Sequence, residues 1–490
     1  MIKLTIENTN QGVITGDITV LQKLYKDFTI RHPQAFYLMR KTGWDGMIHY
    51  ITERGKFSIG LAPMIASKAR EYDPEVILED HRKPLDADIR PQVPSQVGKL
   101  KPRPEQSQVI SNIIHNTLLG KPFYIGVQNL SVGFGKTLIM AGTYLAFNRG
   151  LKTLVLVNDQ DLFKQMQREF PQDLLPGERI SFIQGSKITN WSQFNVAMVQ
   201  SISRNMKLYQ RELSTIQMVL VDEADVADNK TYTNVITHLN NTIVRLGLSG
   251  TIYMSKLAKD KVHNMNLRKF FGDEMNQVAL HEMIDKGYST PVVVKFLPIR
   301  GHSHKYDYKK EYDTSIIDNP NLYKLSLERV IWNIKNHGTP ILIVCKYIRH
   351  CESLYAYFKS NLPKLRIAHM HNETPNRDDI IRSLNSGKLD ILITTTIICR
   401  GKNIPNLKYL LNLTSFASNE KSIQLLGRLV RTFSGKTKAY LDDLMFTSET
   451  HYLYNHSRKR LRYYKNEKIK TIILKINEKK GSKKKKGRNC

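Results

Sequence analysis

Short, almost wholly apolar runs rich in Val, Ile and Leu recur along this chain, and a helical stretch separates each from the next. They stand at 154–157, 196–199 and 218–221 behind a run at 123–127, and the pattern restarts at 341–344, 389–393 and 409–413. A strand that is apolar on both of its faces belongs inside a parallel sheet covered by helices. Two such sets predict two α/β lobes in tandem, joined near 280–300. Amphipathic spacing predicts helices over 105–119 and 138–149.

Three stretches lie outside this pattern. Residues 1–95 read as a small α+β domain. It has two short strands, 48–51 and 57–59, around a turn containing Gly55, then a helix over 63–72. Trp44 reads as a core aromatic anchoring a tight Asp45-Gly46 turn. Prolines and charges between 80 and 104 read as a linker. Beyond 447 the chain turns polar, basic and aromatic. It ends in a lysine-rich tail holding Lys483, Lys484, Lys485 and Lys486, which cannot bury a core. The expected boundaries are 1–95, 96–290, 291–447 and 448–490.

Lys and Arg number 74 against 44 Asp and Glu, a formal net charge of +30. That surplus points to a polyanionic partner, with nucleic acid ahead of an anionic membrane surface. No apolar run reaches roughly 18 residues, and the start lacks a signal pattern, so a cytoplasmic protein is expected. The four cysteines form no CxxC pair and read as reduced thiols, with neither a zinc site nor a disulfide framework.

Residues suited to phosphate chemistry gather at the ends of the predicted strands. Gly133-Phe134-Gly135-Lys136-Thr137 follows a strand and opens a helix, the context of a phosphate-binding loop. Its backbone N–H groups would bind phosphate oxygens, Lys136 would reach the β and γ phosphates, and the Thr137 hydroxyl would hold Mg2+. Leu130 stands where the full motif has its first glycine. Asp222-Glu223-Ala224-Asp225 follows the run at 218–221, with Asp222 assigned to the metal and Glu223 to the attacking water. The Gln106 amide can donate to and accept from the edge of adenine. Gln424, Arg428 and Arg431 fall at spacings of four and three, on one helix face, and the guanidinium fork suits γ-phosphate oxygens. Ser249-Gly250-Thr251 is a small turn at a strand end, and so is Thr394-Thr395-Thr396 ahead of Gly401. Arg458, Arg460 and Arg462 interleave with Tyr452, Tyr454, Tyr463 and Tyr464. That pattern suits nucleic-acid contact or a helix packing its tyrosines on the second lobe.

In order, these segments resemble the motifs of superfamily 2 helicases over about residues 100–445. Gln106, Gly133 to Thr137, Leu162 with Gln165, Asp222 to Asp225, Ser249 to Thr251, Thr395 to Pro405 and Gln424 to Arg431 carry the match. The resemblance implies two tandem RecA-like lobes using ATP and Mg2+, with Gly401 also at the nucleotide. It implies catalytic roles for Lys136, Glu223, Gln424, Arg428 and Arg431, and coupling through Asp225, Ser249 and Thr251. Nucleic acid would meet Ser201, Thr395, Arg458, Arg460, Arg462 and the lysines 483–486. Ser249-Gly250-Thr251 is unlike the turn of the RNA-remodelling DEAD-box group, despite the letters at 222–225. Gly43-Trp44-Asp45-Gly46, with the hairpin and helix that follow, resembles the N-terminal domain of UvsW-type phage helicases. The expectation is a monomeric ATP-driven helicase acting on branched, forked or single-stranded DNA, with nucleotide held between its lobes. An RNA helicase, a double-strand translocase without unwinding, and a scaffold with a degenerate nucleotide site are the alternatives.

Overall fold

The computed structural model describes residues 1–186, 190–252, 260–399 and 403–475. Two compact units emerge, Met1–Ala279 and Leu280–Cys490.

The first unit opens with strands β1 (Ile2–Ile6), β2 (Gln11–Thr15), β3 (Thr29–Arg31), β4 (Met47–His49), β5 (Lys56–Ser58) and β6 (Val76–Asp80). Four of them form a sheet in the order β5-β2-β1-β6, while β3 and β4 make a separate ribbon. The two strands expected to flank Gly55 therefore belong to different sheets, joined only by a bridge between Ile51 and Phe57. The cause is the turn's docking on β2. Gly55 sits at φ 74, and a Cβ there would lie 2.2 Å from the Ile14 carbonyl oxygen. The helix Ala62–Tyr72 buries Ala62, Ile65, Ala66 and Ala69 against this sheet. Trp44 is only half-buried, edge-on to His32 at 5.7 Å, so the core role expected for it is not what forms. The Asp45-Gly46 turn does form, with Asp45 accepting from the Met47 N–H at 2.9 Å.

A small hairpin, β7 (Thr117–Leu118) with β8 (Lys121–Pro122), precedes the main sheet. It ends the preceding helix at Ile114, short of the expected 119, because the chain turns back through Gly120 at φ 83. The main strands are β9 (Ile125–Leu130), β10 (Thr153–Val157), β11 (Ile180–Ile183), β12 (Phe194–Met198), β13 (Met218–Asp222), β14 (Val244–Ser249) and β15 (Glu274–Val278). They pair in parallel in the order β11-β12-β10-β13-β14-β9-β15. Every residue of β9, β10, β12, β13 and β14 is buried, which is why segments such as 154–157 and 218–221 read as unbroken apolar runs, although β9, β12 and β14 also bury Gln128, Asn129, Asn195 and Arg245. The first begins two residues later than the sequence suggested, and the helix behind it is Lys136–Ala146.

The second unit contains β16 (Val292–Ile299), β17 (Ile341–Val344), β18 (Ile367–Met370), β19 (Ile391–Thr394), β20 (Tyr409–Asn412), β21 (Ala439–Phe446) and β22 (Lys470–Ile473). Their order is β18-β19-β17-β20-β21-β16-β22, again parallel throughout. Counted within its own set, each sheet runs 3-4-2-5-6-1-7. The seventh strand here comes from beyond residue 447, behind the helix Tyr452–Asn466. The Glu311 carboxylate caps that helix, accepting from the N–H groups of His451, Tyr452 and Leu453 at 2.8–3.0 Å.

Candidate active site

Parallel sheets of this kind place ligands beyond the carboxyl ends of their strands. In the first unit three neighbouring strands, β13, β14 and β9, deliver polar groups at that edge. After β9 the loop turns through Gly133 at φ 84 and Gly135 at φ 99, and Lys136 opens the helix. A side chain at Gly135 would strike the Gln106 amide at 2.7 Å. The loop is pinned from behind: Gln106 Nε2 donates to the Phe134 carbonyl at 2.7 Å, and Arg103 donates to the same oxygen. Gln106 Oε1 meanwhile accepts from the Arg103 N–H at 2.9 Å. Gln106 is thus buried and holds the loop in shape, which leaves its amide one N–H and one lone pair for a base.

Lys136 Nζ lies 3.2 Å from Glu223 Oε1. Burial pulls the lysine pKa down, but Glu223, Asp222 and Asp225 lift it above the ordinary value. Asp222 ends β13, buried, and accepts from the Glu223 N–H at 3.0 Å. Burial drives its carboxyl up to about 7, against the pull of Lys136 and with the repulsion of Glu223 added. Glu223 itself has left-handed backbone, φ 47 and ψ 53, a conformation that costs a non-glycine residue about 1–2 kcal/mol. Such outliers gather at functional sites.

The next strand adds a second set of bonds. Ser249, at the end of β14, donates to Asp225 Oδ1 at 2.9 Å. The Ser249 hydroxyl also lies 3.2 Å from the Thr251 hydroxyl and accepts from the Thr251 N–H at 3.2 Å. Asp225, Ser249 and Thr251 therefore form one bonded set, and Gly250 within it packs against the start of the phosphate loop, where a Cβ would lie 3.0 Å from the Leu130 carbonyl oxygen.

The loop suits a phosphate, with two left-handed glycines, a half-buried lysine and a helix start. Ser131 Oγ is also buried in it without a hydrogen-bond partner among the described residues. Asp222 and the half-buried Thr137 are hard oxygen donors, which fit Mg2+.

In the second unit the helix Asn419–Leu429 carries Gln424, whose amide donates to Glu420 at 3.3 Å, and Arg428, which is buried. The helix stops at Leu429, so Arg431 lies beyond it and does not share a helical face with the other two. Its backbone is held instead. The Arg431 carbonyl accepts from Thr290 Oγ1 at 3.0 Å and Lys436 Nζ at 2.9 Å, and Lys436 also donates to the Pro405 carbonyl at 3.0 Å. Burial, with Arg431 and Lys408 nearby, pulls the Lys436 ammonium down to about 7. Nothing in the sequence marked Lys436 or Thr290, because each works through a carbonyl that any residue could offer.

The expected nucleic-acid contacts fare unequally. Arg458 and Arg462 are exposed on their helix. Arg460 is not available: fully buried, it donates to Asp443 at 2.9 Å and to the carbonyls of Phe416 and Leu444. Helical spacing turns it inward with Tyr464, away from its basic neighbours. Ser201 Oγ accepts from the Gly185 N–H at 2.8 Å, and Thr395 is buried at the end of β19. Gly401 and the lysines 483–486 lie outside the described residues.

Residues 99–254 match the family of the type III restriction enzyme res subunit, and residues 323–433 match the helicase conserved C-terminal domain. The ATP-dependent DNA helicase uvsW of Enterobacteria phage T4 is 22% identical over 72% of this chain and 74% of its own length. Putative helicase 22 of Sulfolobus islandicus filamentous virus is 25% identical over 70% of this chain and 64% of its own. In fold the chain is similar to the ATP-dependent type ISP restriction-modification enzyme LlaBIII bound to DNA. The TM-score is 0.58 at 15% identity, over 84% of this chain and 34% of that one. The chain belongs to the superfamily 2 helicases, resembling the UvsW type, and is an ATP-hydrolysing enzyme. Among the described residues no helix is long and apolar enough to cross a membrane.

Proposed function

We propose that this chain is an ATP-driven DNA helicase or translocase that remodels branched DNA, by branch migration or fork regression. The observation that carries this reading is that the Lys136–Glu223 pair stands beside a second bonded set, Asp225, Ser249 and Thr251, which begins two residues further along the same loop. It offers a physical route from the phosphate loop toward a polynucleotide. Likeness to a phage DNA helicase over 72% of the chain and a net charge of +30 support DNA as the polymer.

In this reading the incoming triphosphate competes with Glu223 for Lys136. Phosphate oxygens take the ammonium, and Glu223 is released to accept a proton from the attacking water. Asp222 and Thr137 would hold Mg2+, which when bound neutralises phosphate charge. Arg428 and Arg431 supply fixed positive charge for the γ-phosphate, with Arg431 positioned by Thr290 and Lys436. Loss of the γ-phosphate then alters the hydrogen bonding of Ser249 and Thr251, which couples hydrolysis to DNA. Ser201, Thr395, Arg458, Arg462 and the terminal lysines are the DNA contacts in this proposal, grouped with residues 1–95 as a further DNA-binding element.

ATPase assays with purified protein and three nucleic acids test it. Four-way DNA junctions should stimulate hydrolysis most and be unwound, and single-stranded DNA should stimulate less. Stimulation by RNA alone would make this an RNA helicase. ATP-dependent movement on duplex without strand separation would make it a translocase.

A further inference from the structure

One charged group in the first unit lies outside the ATP site and lacks an anionic partner. Arg245 is the second residue of β14, at the opposite end from Ser249, and only 2% of it is exposed. Its Nη2 donates to the Thr9 carbonyl at 2.8 Å and to Asn10 Oδ1 at 2.7 Å. Its Nε is buried with no hydrogen-bond partner among the described residues. Both acceptors are neutral, so among the described residues the guanidinium charge has no carboxylate against it. Arginine does not escape this by losing its proton. Burial lowers its pKa only to about 10, which leaves it charged at neutral pH. An uncompensated buried ion costs several kcal/mol.

The same side chain lines a cavity of about 460 Å³ between the N-terminal sheet and the main sheet of this unit. Lys269 adds a second cation, its pKa drawn down by burial with Asp228 partly offsetting. Asn8, Gln11, Thr237 and Asn240 add neutral polar groups, and among the described residues no Asp or Glu lines the cavity. The walls are themselves held in place. Thr9 Oγ1 donates to the Leu239 carbonyl at 3.1 Å, and Asn10 Nδ2 lies 3.3 Å from both the Thr237 carbonyl and Asn240 Oδ1. Two cations, several amides and a hydroxyl around an unanswered guanidinium make a pocket for a multivalent oxyanion.

We propose that this cavity binds a phosphate group through Arg245 and Lys269. β14 separates it from the ATP site by about 13 Å, four residues at 3.3 Å each. The anion supplies the missing counter-charge and ties the N-terminal sheet to the main one. The phosphate belongs either to a nucleic-acid backbone or to a small phosphate ester, and the inference does not depend on which polymer the helicase acts on.

The test uses the full chain carrying Lys136→Ala, which removes the main phosphate ligand of the ATP site. Inorganic phosphate is titrated against sodium chloride of equal ionic strength, followed by thermal unfolding and calorimetry. A saturable rise in Tm specific to phosphate is expected. Adding Arg245→Met should weaken phosphate binding about thirtyfold, and Lys269→Met about tenfold. Lys269→Met leaves the bonds from Arg245 to Thr9 and Asn10 in place, so it carries the test where Arg245→Met does not fold. A short DNA duplex that displaces phosphate identifies the backbone as the source. Adenosine monophosphate that displaces it where the duplex does not identifies a small ester. The proposal is overturned by the lack of a saturable phosphate response, or by unchanged phosphate affinity in Lys269→Met.

Discussion

In the first main sheet Lys136, Asp222 and Glu223 cluster at strand ends, half-buried or buried, and share a single ion pair between them. In the second, Asp442 and Asp443 lie inside β21, fully buried, and each has its own arginine. Asp443 accepts from Arg460 at 2.9 Å, Asn412 at 3.2 Å and the Leu444 N–H at 2.8 Å. Asp442 accepts from Arg329 at 2.6 Å and the Tyr409 hydroxyl at 2.9 Å. Neighbouring strand residues face opposite ways, so these pairs bind helices to the two sides of the sheet. The strand order is the same in both units, but the placement of charge is not. Charge at strand ends with too few partners can meet a substrate. Charge within a strand whose partners are already in place can only hold the fold together.

This contrast makes definite demands on mutants. Lys136→Ala should cut DNA-stimulated ATP hydrolysis by about 10³-fold while circular dichroism reports an intact fold. Hydrolysis at the native rate would remove the phosphate-loop assignment. Arg460→Ala should do the reverse. Stranding Asp443 in the core should cost about 3–5 kcal/mol in denaturant unfolding, and an unchanged midpoint would erase the distinction between the two sheets. Glu223→Gln should bind ATP normally yet turn over about 10²-fold more slowly; retained turnover would move the base elsewhere.

The smallest effect is one of pH. His350 is fully buried in the second unit, and burial with Arg349 nearby pulls its pKa down to about 3. Between about 3 and 6.5 the unfolded chain binds a proton there that the folded chain refuses, so stability falls as pH falls. From pH 7.5 to 5 the loss should be about 2 kcal/mol. Urea unfolding of His350→Leu should lack that part of the acid sensitivity, and an equal loss in both proteins would assign it to other groups.

The two lobes were legible because burial on both strand faces forces an apolar run, and the phosphate loop because its geometry demands glycine at 133 and 135. The pairing of β5 with β2 was not legible, since sequence gives strand tendency without partner choice. Arg460 was misread for a related reason. Composition records a basic, aromatic stretch, but the helical phase that turns Arg460 inward depends on Asp443 being there to receive it. The function of Lys436 was hidden because it binds backbone, and backbone leaves no trace in side-chain identity.

β22 also governs how far the chain can be trimmed. It pairs with Val293–Phe296 of β16, and the helix before it delivers Arg460 to Asp443. Ending the polypeptide after Phe446 would discard both at once, baring one flank of β16 to self-association and orphaning a core carboxylate. A shortened version for expression should therefore stop no earlier than Leu474, whose N–H still donates to the Phe296 carbonyl at 2.9 Å.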